Sequence, residues 1–99
     1  MAATAFGGVP LWREVVYYYF VYKVYILSSQ YKKRYYIGHT SDLSRRLDEH
    51  NSGRTKSTKA YVPWIVIYSE DFDTKQDAYA REMKIKSYKS GRAFKTLIE

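Results

Sequence analysis

Between Lys23 and Gly53 the hydrophobic period of the chain changes once, and that change excludes most folds open to a short sequence. Val24-Tyr25-Ile26-Leu27 and Tyr35-Tyr36-Ile37-Gly38 are aromatic and β-branched runs on either side of the polar segment Ser28-Ser29-Gln30-Tyr31-Lys32-Lys33. Such runs pair as an antiparallel hairpin. From Asp42 to His50 the apolar spacing becomes helical. A hairpin feeding a short helix is therefore the unit that the remaining elements must cover.

The first strand is expected over about Phe20 to Leu27, with Arg34 to Ile37 returning as its partner. Thr40-Ser41-Asp42 offers side chains that accept the free amides of a helix start, and Asn51-Ser52-Gly53 reads as its stop. Leu43, Leu47, His50 and Arg46 share one arc of that helix, with Arg46 and His50 at the border of its buried face. A loop rich in Ser, Thr, Lys and Arg follows from Ser52 to Pro63. Trp64-Ile65-Val66-Ile67-Tyr68 is apolar on both alternating sets, as a central strand is. Thr74 with Asp77 begins a second helix running to about Tyr88. Ala78, Tyr79, Met83 and Ile85 are expected to face the core, with Glu82 inside the same arc, where a carboxylate is costly unless partnered. Ser90-Gly91 breaks that helix, and Ala93, Phe94, Leu97 and Ile98 suit a short terminal one. The order β-β-α-β-α-α predicts an α+β fold, an α/β sandwich with a small three-stranded antiparallel sheet flanked by helices.

At 99 residues the chain is long enough for one domain, which buries roughly two-thirds of its unfolded surface. Residues 20–99 are read as that domain and 1–19 as an N-terminal extension with a mobile start. With no cysteine, disulfides, thiolate metal sites and cysteine nucleophiles are excluded. Seventeen Lys and Arg against ten Asp and Glu give a net charge of +7, which favours a polyanionic partner. Lys32 to Lys59 alone holds eight basic and three acidic residues. The apolar run from Val15 to Leu27 is interrupted by Lys23 and falls short of the about 20 residues that span a bilayer. Met1 to Pro10 lacks the basic start of a secretory signal. A cytoplasmic protein is expected, with no membrane partner.

At this point the residues resemble a known family, the GIY-YIG nuclease domain, over roughly Tyr22 to Ile98. Lys23-Val24-Tyr25 stands at the first triplet and Tyr36-Ile37-Gly38 at the second, with the tyrosines eleven positions apart. Arg46 follows Tyr36 by ten residues and His50 by fourteen, and Glu82 lies in the later helix. The likeness is strongest to small stand-alone members, through Trp64 to Glu70 and through Arg81-Glu82 followed by Ile85-Lys86. The N-terminal nuclease domain of the excision-repair nuclease is a relative of that group. There are two departures. Lys23 replaces the first glycine of the motif, and no Asn follows Asn51, so either Lys95 or Ser90 substitutes in the phosphate contact near the C-terminus or that contact is missing.

The resemblance implies hydrolysis of a DNA phosphodiester with one divalent cation, Mg²⁺ or Mn²⁺, held by Glu82, and no organic cofactor. Tyr25, Tyr36, Arg46, His50 and Glu82 would form the catalytic set. Tyr25 is the candidate general base. An ordinary phenol ionises near pH 10, a handicap of roughly 4 kcal/mol at neutral pH unless cations lower it. Arg46 can grip a phosphate through two guanidinium hydrogens. His50 would contact phosphate or relay a proton, and Tyr36 would position water or phosphate. Gly38 would let the backbone turn closely into the helix. His39, Lys86 and Lys95 are secondary candidates.

Lys32, Lys33, Arg45, Arg54, Lys56 and Lys59 are the candidate DNA-backbone contacts, which position a duplex without reading its sequence. Structure-selective cutting of branched, flapped or nicked DNA is one expectation, nucleoid association and targeting by a partner protein are others. The plainer alternatives are that most of the twelve tyrosines are packing residues and that Glu82 makes an ordinary i,i+4 pair with Lys86. The rival function is a noncatalytic DNA- or RNA-binding module on the same fold. A protein-interaction domain has less in its favour.

Overall fold

Four consecutive residues, Val24, Tyr25, Ile26 and Leu27, are buried regardless of which side of the strand they point to. Only a strand covered on both faces and flanked on both edges does this. In the computed structural model, which describes residues 21–99, the strand is β1, Tyr22–Ser29. It pairs antiparallel with β2, Tyr35–Thr40, on one side and with β3, Trp64–Phe72, on the other. α1 (Leu43–Asn51) and a short 3-10 turn (Lys59–Tyr61) run between β2 and β3, and α2 (Lys75–Ser87) and α3 (Arg92–Ile98) follow β3. The expected α+β architecture and element order are those observed. The expected extension at 1–19 lies outside the described residues.

The strand expected at the centre is not there. The order is β2-β1-β3, so Trp64 to Tyr68 belongs to an edge strand. Its apolar residues have two destinations. Trp64 and Val66 join Tyr25 and Leu27 under α1, whereas Ile67, Tyr68 and Phe72 join Val24 and Ile26 under α2 and α3. In a sheet of three strands the helices cover the edges as well as the middle. A register shift helps, because Ile26 faces Tyr68 while Leu27 faces Val66. Ile67 is thus an extra residue, and it packs on the same side as Tyr68.

The helix ends follow the sequence signals closely. Asp42 caps α1 by accepting the Arg45 amide at 3.0 Å, and the Thr40 hydroxyl holds the Asp42 amide at 3.1 Å. Gly53 closes the helix with φ +77°, a conformation that costs glycine little. Thr74 caps α2 through the Asp77 amide at 3.1 Å. The break after α2 is made differently from the expectation, since the left-handed residue is Lys89, φ 53°, and Gly91 caps α3 with an ordinary negative φ.

The buried line of α2 is narrower than expected. Ala78, Glu82 and Ile85 are buried at i, i+4 and i+7, but Tyr79 is 52% and Met83 40% exposed. Helical periodicity places a residue on a flank, and only the reach of the sheet decides whether that flank is covered. No helix among the described residues is long and apolar enough to cross a membrane.

Candidate active site

The pairing of β1 with β2 sets Tyr25 directly opposite Gly38, and the phenol lies over the glycine. A Cβ at position 38 would stand 2.7 Å from Tyr25 Oη, 2.9 Å from Cζ and 3.1 Å from Tyr36 Cε1. This corrects the expected role of Gly38. It sits inside β2 rather than at the turn into the helix, and what it supplies is the missing side chain. Gly38→Ala is expected to displace the phenol and to destabilise the fold by about 1–3 kcal/mol. Urea denaturation measures that loss, and an unchanged midpoint would contradict it.

His50, in the last turn of α1, is fully buried. Its Nε2 lies 3.2 Å from Tyr25 Oη and its Nδ1 2.9 Å from Thr58 Oγ1. The Thr58 hydroxyl donates to the Thr55 carbonyl at 3.4 Å. We assign the tautomer from that donation: Thr58 Oγ1 accepts Nδ1–H, which leaves the lone pair on Nε2 for the phenol to donate to. Tyr36 packs on the same imidazole at a centroid distance of 4.5 Å and stacks with Tyr25 at 6.2 Å.

Burial pushes the Tyr25 phenol up to about 12; Arg46 opposes the rise, and the charges of Tyr36 and Glu82 add to it. Burial, assisted by Arg46 and opposed by Glu49, holds His50 below the usual imidazole range. His50 is therefore neutral at pH 7, as an acceptor must be. Arg46 lies beside both phenols, and its guanidinium is anchored to Glu49 at 2.8 Å. The other oxygen of Glu49 takes Arg45 at 2.9 Å.

Glu82 belongs to a separate cluster. Side chains alternate along β2, so Tyr36 and Gly38 face α1 whereas His39 faces α2. There His39 Nδ1 meets Glu82 Oε1 at 2.7 Å, and Lys86 Nζ donates to Oε2 at 2.7 Å. Burial alone would raise the Glu82 carboxyl, but the bonds from Lys86 and His39 outweigh it and hold it below the usual range. No hydrogen bond among the described residues joins this cluster to the Tyr25 cluster. The link is electrostatic, through the charge that Glu82 exerts on the phenol. Among the described residues no three metal-ligating side chains converge. One ionised carboxylate still fits Mg²⁺, which binds one or two carboxylates and takes its other ligands from water and phosphate.

A family model described as the GIY-YIG catalytic domain matches residues 21–94. The chain belongs to the GIY-YIG family. It is 45% identical over 56 residues to a UPF0213 protein of Streptococcus pneumoniae serotype 4, a match covering 56% of this chain and 57% of that one. A UPF0213 protein of Staphylococcus saprophyticus is 37% identical over 65 residues, covering 65% and 79%. A UPF0213 protein of Haloquadratum walsbyi is 44% identical over 54 residues, covering 54% of this chain and 61% of its own. The matched part thus spans about three-fifths of the pneumococcal and Haloquadratum relatives. The solution NMR structure of a UPF0213 protein from Bacillus halodurans aligns with a TM-score of 0.45 at 30% identity, covering 77% of this chain and 79% of that one.

The basic residues of this GIY-YIG domain fall into two groups. Ser29 Oγ donates to the Tyr61 carbonyl and the Gln30 amide to that of Pro63 at 2.8 Å, which ties the turn bearing Lys32 and Lys33 to the loop bearing Arg54, Lys56 and Lys59. Arg34 lies over the Tyr61 ring at 5.0 Å. All six of these lysines and arginines of the turn and loop are exposed. Arg45 is also exposed, but it is engaged by Glu49 and Asp42 on the α1 surface. Lys95 is exposed on α3, and its side chain makes no hydrogen bond or ion pair among the described residues. Sequence reasoning missed Thr58 and the anchoring role of Glu49. Glu49 carried a signal, an acid three residues after Arg46, whereas Thr58 is one hydroxyl residue among several in a polar loop.

Proposed function

We propose that this GIY-YIG domain hydrolyses DNA phosphodiester bonds with one divalent ion, Mg²⁺ or Mn²⁺, held by Glu82. The observation that carries the proposal is the 3.2 Å contact between the Tyr25 phenol and Nε2 of a buried His50, in which Nε2 accepts when the ring proton sits on Nδ1. A phenol at about 12 would need about 7 kcal/mol to ionise freely at pH 7, so a bare phenolate is a poor base. Handing its proton to His50 avoids that cost. Tyr25 Oη takes a proton from the attacking water as its own passes to Nε2; the water oxygen bonds to phosphorus, and the bond to the leaving sugar oxygen breaks. Tyr36 and Arg46, the partly exposed members of the cluster, receive the phosphate and steady its added charge. A bound ion at Glu82 would supply further charge neutralisation at the phosphate and leaving oxygen.

The exposed basic residues of the turn and loop support backbone binding that is insensitive to sequence, with branched, flapped or nicked DNA as the substrate class. A noncatalytic module has one observation in its favour, that His39 and Lys86 already take both oxygens of Glu82. Incubating labelled duplex, flap and four-way DNA with the protein in Mg²⁺, Mn²⁺ and EDTA separates the two. Cutting of at least one form in metal and none in EDTA is expected. Binding of every form without cutting in either metal would replace the nuclease by the module.

A further inference from the structure

Two of the large apolar side chains left exposed, Tyr79 and Met83, stand one turn apart on α2 and flank Glu82. Tyr79 is 52% exposed, yet its ring is not loose. His39 packs against it edge-on, with centroids 5.8 Å apart and planes at 77°, and the 2.7 Å contact of His39 with Glu82 fixes His39 in turn. An aromatic surface is thus propped open beside the carboxylate. An open cleft of about 580 Å³, lined by His39, Lys75, Gln76 and Tyr79, starts at this ring. A second of about 350 Å³ shares His39 and Lys75 and continues past Thr40 and Ser41.

We infer that this cleft binds one unpaired nucleotide of the strand next to the scissile phosphate, its base stacked on Tyr79 and its phosphate against Lys75. The chemistry suits a nucleotide in each part. A flat apolar face accepts any base without regard to sequence. The Gln76 amide offers both a donor and an acceptor to a base edge, and Lys75, Thr40 and Ser41 offer a cation and hydroxyls to a phosphate. A base stacked within a duplex has no free face to give, so the cleft selects frayed, flapped or single-stranded DNA. The location of the scissile phosphate rests on the nuclease reading of Glu82. The cleft itself does not.

The test is fluorescence anisotropy in EDTA, where nothing is cut, with a labelled oligothymidylate, a flapped duplex and a blunt duplex. Tyr79→Ala is expected to weaken binding of the first two about tenfold and to leave the blunt duplex unchanged. Tyr79→Trp should bind like the wild type, with its added indole emission quenched by the oligothymidylate. Equal losses on all three DNAs, no loss on the flap, or an unquenched indole would each overturn the inference. Tyr79 is exposed, so the circular dichroism of both variants should match the wild type. Cutting in Mg²⁺ is measured separately; a protein that cuts but fails the anisotropy test keeps the nuclease and loses the cleft, and the reverse result does the opposite.

Discussion

Glu82→Gln is expected to lower DNA cleavage at least about 10³-fold while leaving DNA affinity in EDTA unchanged or slightly raised. The amide has almost the shape of the carboxylate, so the buried line of α2 is kept. What disappears is the negative charge that holds a divalent ion. Affinity should not fall, because removing an acid from a protein of net charge +7 strengthens its attraction to phosphate. Single-turnover cleavage and anisotropy on the same flapped duplex measure the two quantities. Metal-dependent cutting within about tenfold of the wild type would remove Glu82 from the mechanism.

The second large effect belongs to the phenol. Tyr25→Phe deletes one oxygen and should cost about 10²–10⁴-fold in cleavage rate, the range for a general base. His50 then remains neutral and buried but has nothing to accept. Thr58→Val should act through His50, since it removes the acceptor that keeps the proton on Nδ1 and frees the imidazole to place it on Nε2. Thr58→Ser should restore the rate. ¹⁵N chemical shifts of His50 report the tautomer directly, and an unaltered tautomer in Thr58→Val would contradict this account.

His50 also sets a pH dependence whose sign is fixed by its lowered pKa. Above the ordinary imidazole value of about 6.5 both folded and unfolded chains hold it neutral, and stability does not change on its account. Below that value the unfolded chain takes up a proton before the folded one does, so stability falls as pH falls. Cleavage should fail on the same side, once Nε2 is protonated. Urea midpoints between pH 7.5 and pH 5, with His50→Gln as the comparison, test this; an equal slope in the variant would assign the loss to other groups.

The hairpin, both major helix starts and the element order were legible because each rests on local chemistry: β-branched runs, an Asp or Thr cap, a left-handed glycine. Three features were not. Strand order escaped because a residue string records which positions are apolar and not what covers them, and β3 has helices on both faces although it is an edge. Tyr79 and Met83 lie within the helical arc of Ala78, but the sheet ends before it reaches them. Gly38 was misplaced because a glycine after a strand usually signals a turn, whereas here an aromatic ring from the neighbouring strand requires its bare backbone. Within the candidate site, it was the family resemblance that put Tyr25, Tyr36 and Arg46 together; spacing alone placed only Arg46 and His50 at the border of the buried face of α1. The separation of Glu82 onto the other side of β2, and the hold of Thr58 on His50, depend on tertiary contacts that no spacing encodes.

The loop from Ser52 to Pro63 is pinned along its length. Asn51 brackets Trp64 with two hydrogen bonds, its Oδ1 accepting from the Trp64 amide at 2.6 Å and its Nδ2 donating to the Trp64 carbonyl at 3.0 Å. The Trp64 indole reaches back to the Thr58 carbonyl at 3.0 Å. The same indole contact that steadies the partner of His50 also fixes the backbone from which Arg54, Lys56 and Lys59 project. A strand of DNA therefore meets cations whose main chain has already given up its freedom during folding, and the entropy of ordering a long basic loop is not subtracted from the binding energy.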